Sequence, residues 1–310
     1  MDGRGSFFRS FGFPDYGHSL RREGVCRLFQ GFLRKTVPED LAPVYSVLIF
    51  MFVVLPFLRP SAGSMVFARS SPWWAYPLFL QNFLVHHSSK AAGPLGVTWS
   101  VAIEEQFYLV WAVIVRFCSY VQLRYLAAAV VCLSPLLRLY LSLHSVELYT
   151  NVFCRLDGLM AGGLIALWVR SYRFLASRFL WLAWLTLVVT LPLAFLIETL
   201  GARWMTFSLS ALASAAFVYL ALFATPNWLR LALGSRWLVY SGTISYGLYL
   251  LHKIPLDIAL LLHFDRHAVL TLVTCLAASY VLAILSWNLL ETPFLRFKRF
   301  FRSPLQQQQS

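Results

Sequence analysis

Residues 99–111 read Trp-Ser-Val-Ala-Ile-Glu-Glu-Gln-Phe-Tyr-Leu-Val-Trp, so two adjacent carboxylates, Glu104 and Glu105, open an apolar, helix-like run that continues to Val115. An ionisable group at membrane depth costs from about 3 to 10 kcal/mol and marks a functional position by default. Neighbouring helical residues project about 100° apart, so only one of the two squarely faces a given cavity. A carboxylate there suits proton transfer. Tyr108, one turn beyond Glu104, lies on the same face and can hydrogen-bond to it. An ion pair with Arg155 or Lys253 that ties helices together is the competing reading.

Two further stretches carry polar chemistry. In Arg155-Leu156-Asp157-Gly158-Leu159-Met160-Ala161-Gly162-Gly163, Arg155 can bind a carboxylate or phosphate bidentately, and pairing with Glu104 or Glu105 is an equally good account. Asp157 suits a helix N-terminus by dipole alone. Gly158 and Gly162 form a small-xxx-small pair expected to let another helix approach closely. In Ser245-Tyr246-Gly247-Leu248-Tyr249-Leu250-Leu251-His252-Lys253-Ile254-Pro255, the spacing puts Ser245, Tyr249 and His252 on one helix face. Pro255 frees the carbonyl of Leu251, and histidine is the side chain best suited to shuttle a proton at neutral pH. Glu291-Thr292-Pro293 reads as a helix stop. His86, His87, His144, His263 and His267 do not match a helix-borne metal motif, and the five cysteines lack metal or disulfide spacing, so no metal is expected.

The elements that must position these residues are membrane helices. The chain is 59% hydrophobic and 13% charged, half the charge of an ordinary soluble domain, with a mean hydropathy of +0.66. Too little polar surface remains to cover so many apolar segments in water. The expected fold is an all-α, polytopic membrane bundle of about eight spans, near 41–58, 99–116, 121–143, 155–170, 179–199, 204–224, 238–262 and 267–290. The seventh is interrupted by Pro255. A basic segment (1–40) precedes the membrane domain (41–300), and a Gln-rich tail (301–310) reads as disordered.

The net charge of +13 does not point to nucleic acid, because the basic residues sit at the ends of apolar segments rather than along one face. With both termini cytoplasmic, eighteen of the 26 Lys and Arg residues fall on inner segments, as the positive-inside rule expects. Glu104, Glu105, Arg155 and Asp157 then lie at outer span ends and His252 in an outer half-span. Charged groups on three spans also suit a permeation path, but no inverted repeat of broken spans accompanies them.

Taken together these residues resemble the membrane-bound acyltransferase-3 family of O-acyltransferases. The resemblance rests on Phe79-Leu80-Gln81-Asn82-Phe83-Leu84 and on Trp99-Ser100 through Glu104-Glu105-Gln106-Phe107-Tyr108. It continues at Arg155-Leu156-Asp157-Gly158-Leu159 with Gly162, at Ser245-Tyr246 through Tyr249-Leu250 and His252, and at Glu291-Thr292-Pro293. It implies transfer of an acyl group, acetyl or similar, from acyl-CoA to a hydroxyl of an envelope polysaccharide or lipid-linked glycan, at a bacterial inner membrane and with no bound cofactor. Under the resemblance, Glu104, Glu105, Arg155 and His252 are the catalytic candidates, and Trp99, Ser100, Tyr108, Asp157, Ser245 and Tyr249 the substrate-binding ones. Basic residues such as Arg34 and Lys35 would attract the phosphates of the donor.

Members of the family usually open with a helix bearing an arginine and, near its end, a histidine held to deprotonate the acceptor. Here Leu20-Arg21-Arg22-Glu23-Gly24 and Phe32-Leu33-Arg34-Lys35 look like the link after the family's second helix, and Pro43 and Tyr45 like the start of its third. The expectation is of a chain lacking the first two helices, with an inactive remnant as the alternative to an enzyme.

Overall fold

The computed structural model describes residues 41, 43–61, 71–84, 93–172, 179–223, 231–261 and 268–293. The segments 1–40 and 301–310, and with them Arg34 and Lys35, lie outside the described residues. Every regular element among the described residues is helical and none is a strand, in keeping with the expected all-α class. The principal helices are α1 (Pro43–Leu58), α2 (Thr98–Phe117), α3 (Tyr120–Leu143), α4 (Leu156–Tyr172) and α5 (Leu180–Thr199). They are followed by α6 (Arg203–Phe223), α7 (Arg236–Thr243), α8 (Ser245–Leu251), α9 (Lys253–Leu261) and α10 (Ala268–Ser286). Four are long and apolar enough to cross a bilayer: α3, α5, α6, and α10 with its extension to Glu291. The apolar helices Pro43–Leu58 and Leu156–Trp168 are shorter. Helix α2 has the length but carries Glu104, Glu105 and Arg116.

The prolines explain much of the irregularity. A proline cannot donate to the carbonyl four residues back, and its ring crowds that carbonyl. Two wide π-turns, Phe50–Val54 and Trp287–Glu291, each end two residues before a proline, Pro56 and Pro293. In each, the next amide (Leu55, Thr292) reaches back five residues, to the carbonyls of Phe50 and Trp287. The expected stop at Glu291-Thr292-Pro293 is therefore corrected: the helix widens and runs on through Pro293.

The seventh predicted span is also revised, since it breaks at Ile244 and His252 rather than at Pro255, which sits in the first turn of α9, where its missing N–H is tolerated. The breaks are slight. The amides of Ile244, Leu248 and His252 bond to the carbonyls of Tyr240, Ile244 and Leu248, carrying the helical progression across.

The chain divides into two compact units. One comprises Ala102–Val239 and holds most of α2 together with α3 to α6. Ser119 starts α3 with a capping box: its hydroxyl accepts from the Gln122 amide (3.3 Å), and the Gln122 side chain accepts from the Ser119 amide (2.7 Å). Helix α5 ends on Gly201 (φ 78°), where the Gly201 amide bonds to the Glu198 carbonyl and the Ala202 amide to that of Ile197. This pairing needs a left-handed residue, which glycine supplies without steric cost. It turns the chain so that α6 packs along α5, and small residues of both helices, Ala183 and Ala194 on α5 and Ala213 and Ala216 on α6, are buried.

The other unit runs to Val101 and resumes at Tyr240. Its core joins Val44, Leu48 and Met51 of α1 to Tyr76, Leu95 and Val101 and to Leu250 and Leu251 of α8.

Candidate functional site

In the unit that contains α8, the start of α2 is fixed by a buried amide. Gln81 Nε2 donates to the Thr98 carbonyl (2.8 Å) and Thr98 Oγ1 (3.3 Å), and Thr98 Oγ1 donates to the Leu95 carbonyl (2.7 Å). These bonds hold the 3-10 turn Pro94–Val97 against the first turn of α2, which bears Trp99 and Ser100. The Ser100 and Tyr249 hydroxyls each lie 3.2 Å from the Val97 carbonyl oxygen and hydrogen-bond to one another. Two hydroxyl protons thus serve three oxygen–oxygen contacts, so one hydroxyl donates to the carbonyl and the other to its neighbour.

His252 stands at the C-cap of α8, with its ring 5.8 Å from that of Tyr249. Its Nδ1 lies 2.7 Å from the Tyr249 carbonyl oxygen, which can only accept. The neutral ring therefore carries its proton on Nδ1 and presents Nε2 as the basic nitrogen. The carbonyl chosen is that of Tyr249, not the Leu251 carbonyl that Pro255 frees. Ser245 points elsewhere, donating to the Gly242 carbonyl (2.9 Å). The structure thus brings Ser100, Tyr249 and His252 together and leaves Ser245 outside their cluster. Trp99 is half-buried on α2.

The next residues of interest on α2 belong to the other unit. Glu104 is exposed, while Glu105 and Tyr108 are half-buried. The Phe107 ring lies 5.9 Å from that of Tyr108 and stacks on Trp111 at 5.7 Å.

Arg155 and Asp157 share a region in this unit but have different surroundings. Asp157 is 4% exposed and is gripped by Arg138, itself fully buried, through Nη1 to Oδ1 (3.1 Å) and Nη2 to Oδ2 (2.6 Å). The remaining Arg138 donors reach the Trp204 carbonyl (2.8 Å), the Cys154 carbonyl and Ser208 Oγ, so all five guanidinium N–H groups are used. Ser208 donates in turn to Asp157 Oδ2 (2.9 Å). A charge pair removed from water is tolerated only when its remaining valences are met in this way.

Sequence reasoning missed this node and assigned no partner to Arg138. It lies five residues inside α3, and an arginine within an apolar run is itself the signal that a partner exists. Arg155 instead donates Nε–H to the Tyr149 carbonyl (3.0 Å) and lays its guanidinium over the rings of Phe207 (3.9 Å) and Tyr149 (4.8 Å). Burial raises the Cys154 thiol above its ordinary range, outweighing the pull of Arg138 and Arg155 in the other direction.

The two glycines of the Arg155–Gly163 stretch differ from expectation. A Cβ on Gly158 would meet the Ala211 Cβ at 3.8 Å, ordinary contact, whereas a Cβ on Gly162 would meet nothing within 4 Å. Gly162 therefore does not admit a neighbouring helix; it opens a groove of about 330 Å³ between α4 and α6. By contrast, Gly247 of α8 is tightly placed: a Cβ there would lie 3.2 Å from Glu291 Oε1 and 3.5 Å from the Ala283 backbone. Glu291 is buried and accepts from Ser286 Oγ (3.1 Å). Among the described residues no group of three or more His, Cys, Asp or Glu side chains is placed to hold a metal ion.

Residues 24–288 match a family model described as an acyltransferase domain. No curated protein and no solved structure matches the chain.

Proposed function

The chain belongs to the acyltransferase-3 family, and from that premise we propose that it moves an acyl group, acetyl in the simplest case, from acyl-CoA to a hydroxyl of an envelope polysaccharide or lipid-linked glycan. Family membership makes it an acyltransferase of groups other than amino-acyl groups, and its long apolar helices make it a membrane protein. On the proposed reading it crosses a bacterial inner membrane eight times with both termini in the cytoplasm. The irregular seventh crossing consists of α7 to α9.

The observation that carries the chemistry is the Nδ1–H bond of His252 to the Tyr249 carbonyl, which leaves Nε2 as a base. In the proposed step the acceptor hydroxyl gives its proton to Nε2 while its oxygen attacks the thioester carbonyl carbon. A carbon–oxygen bond forms, the carbon–sulfur bond breaks, and the coenzyme thiolate leaves with the proton returned by the imidazolium. Ser100 and Tyr249, joined to one another and to the Val97 carbonyl beside His252, are proposed to position the hydroxyls of the acceptor. Glu104, Glu105 and Arg155 are proposed to orient or relay charge on the family pattern. Asp157 acts instead through Arg138, as a positioning residue.

Mass spectrometry of envelope glycans tests this reading in cells with the gene, without it, and with His252→Gln. Ester-linked acyl groups are expected only with the intact gene. Identical acylation in all three strains would overturn it.

A further inference from the structure

Helix α10 runs into the wide turn Trp287–Glu291, and that turn decides which residue faces inward. Along α10 the buried positions Ser279, Ala283 and Ser286 follow helical spacing and form one stripe. In a regular helix Glu291 would stand about 140° around from Ser286 and miss the stripe. A turn closed over five residues lays Glu291 over Ser286 instead, as their side-chain hydrogen bond (3.1 Å) records. Glu291 is thereby buried, and its Oε1 stands 3.2 Å from where a Cβ on Gly247 of α8 would be.

Gly247 lies on the seated side of α8. Gly247, Leu250 and Leu251 are buried, Tyr249 and His252 are exposed, and helical spacing puts these two sets on opposite faces. Glu291 and Ala283 therefore meet the back of the helix whose front carries the Tyr249 hydroxyl and the His252 ring. We infer that Glu291 is a positioning residue for the transfer reaction. It is the stop on which α8 rests, and it fixes how far Tyr249 reaches toward Ser100 and the Val97 carbonyl. At 3.2 Å the bond from Tyr249 to Val97 has little slack, so α8 settling back toward α10 parts it. The inference rests on the proposed acyl transfer for its kinetic consequence, but not for its geometry.

A size swap tests this in the full chain. Wild type, Glu291→Asp, Gly247→Ala and the double variant are compared in proteoliposomes by steady-state acetyl transfer from acetyl-CoA. Their tyrosine hydroxyls are also acetylated with N-acetylimidazole and located by mass spectrometry. Glu291→Asp withdraws the carboxylate by one bond, about 1.5 Å. With α8 following by about a third of that, kcat and kcat/KM should fall together by about tenfold, since a misplacement of 1 Å costs ~10²-fold. Gly247→Ala pushes the other way by a few tenths of an ångström and should cost about fourfold on the same scale. The added methyl fills the space the lost methylene vacates, so the double variant should be more active than either single. Glu291→Asp should also quicken modification of Tyr249 by about fivefold, the worth of one hydrogen bond. Tyr125, 74% exposed, is the internal standard, and the double variant should slow Tyr249 again. Unchanged kcat per folded molecule and an unchanged Tyr249 rate in Glu291→Asp would reduce Glu291 to a purely structural part and overturn the proposal. A double variant no better than the product of the singles would overturn it too. Absence of transfer by the wild type would refute acyl transfer alone, because the tyrosine rates need neither acyl-CoA nor glycan and still decide the positioning. If Gly247→Ala fails to fold, the Tyr249 rate in Glu291→Asp decides by itself.

Discussion

Removing Asp157 should expose how much of the helical bundle rests on one charge pair. Asp157→Ala leaves Arg138 with the carbonyls of Cys154 and Trp204 and the Ser208 hydroxyl, and strands two of its five buried N–H donors. At about 1–3 kcal/mol for each unmet buried donor the loss is about 2–6 kcal/mol. That brackets the ~3–5 kcal/mol found when one partner of a buried ion pair is deleted. Arg138→Met should cost a similar amount, because the Asp157 carboxylate then keeps only the Ser208 hydroxyl and the Gly158 amide. The double variant Arg138→Met/Asp157→Leu buries no charge and should cost less than either single change, about 0–2 kcal/mol. An opposing effect is known for membrane helices: neutral interhelical hydrogen bonds average only ~0.6 kcal/mol, because the unfolded chain in lipid finds other partners. Two full charges are much harder to satisfy that way, so the larger figure should prevail. Reversible unfolding of the purified protein in mixed micelles, titrated with a denaturing detergent, measures all three variants. Single losses below about 1 kcal/mol, or a double loss equal to the sum of the singles, would refute the reasoning.

Three further outcomes follow from the packing and the chemistry. Gly247→Ala should destabilise by about 1 kcal/mol or more, because the added methyl meets a buried carboxylate held by Ser286, whereas Gly162→Ala should be neutral or stabilising by up to about 1 kcal/mol through helix propensity; the same unfolding titration compares them. Cys154, fully buried and with its thiol raised by that burial, should resist alkylation in the folded protein and react only on unfolding, read as mass added at that residue. Glu104→Gln with Glu105→Gln should abolish glycan acylation at unchanged protein level, measured as ester-linked acyl groups released by mild base.

The long spans were legible because a bilayer imposes its thickness on an apolar run. The run predicted at 121–143 became Tyr120–Leu143, and that at 179–199 became Leu180–Thr199. Capping residues such as Ser119, by its hydroxyl, and Gly201, by its left-handed backbone, mark those ends locally. The ion pair of Arg138 with Asp157 was not legible, since it joins residues 19 apart on different helices and charge counting along the chain treats each separately. Gly158 and Gly162 show the same limit: the motif states that side chains are small, while the distance to α6 decides whether a helix or a groove uses the space. Ser100 and Tyr249 were both singled out by residue type, yet their meeting across 149 residues is a property of the fold. The shift of the break to His252 follows from the position of Pro255, which already stood in the sequence; what had to be seen was the histidine bonding back to the carbonyl of Tyr249.

The most direct test of the proposed chemistry is transfer of radiolabel from acetyl-CoA to purified envelope glycan by the full chain in proteoliposomes, with wild type and His252→Gln side by side. The account predicts base-labile label on the glycan together with stoichiometric release of free coenzyme thiol, and the loss of both in the variant. Equal label with the variant would remove His252 from the reaction, and coenzyme release without label on any hydroxyl would contradict O-acyl transfer itself.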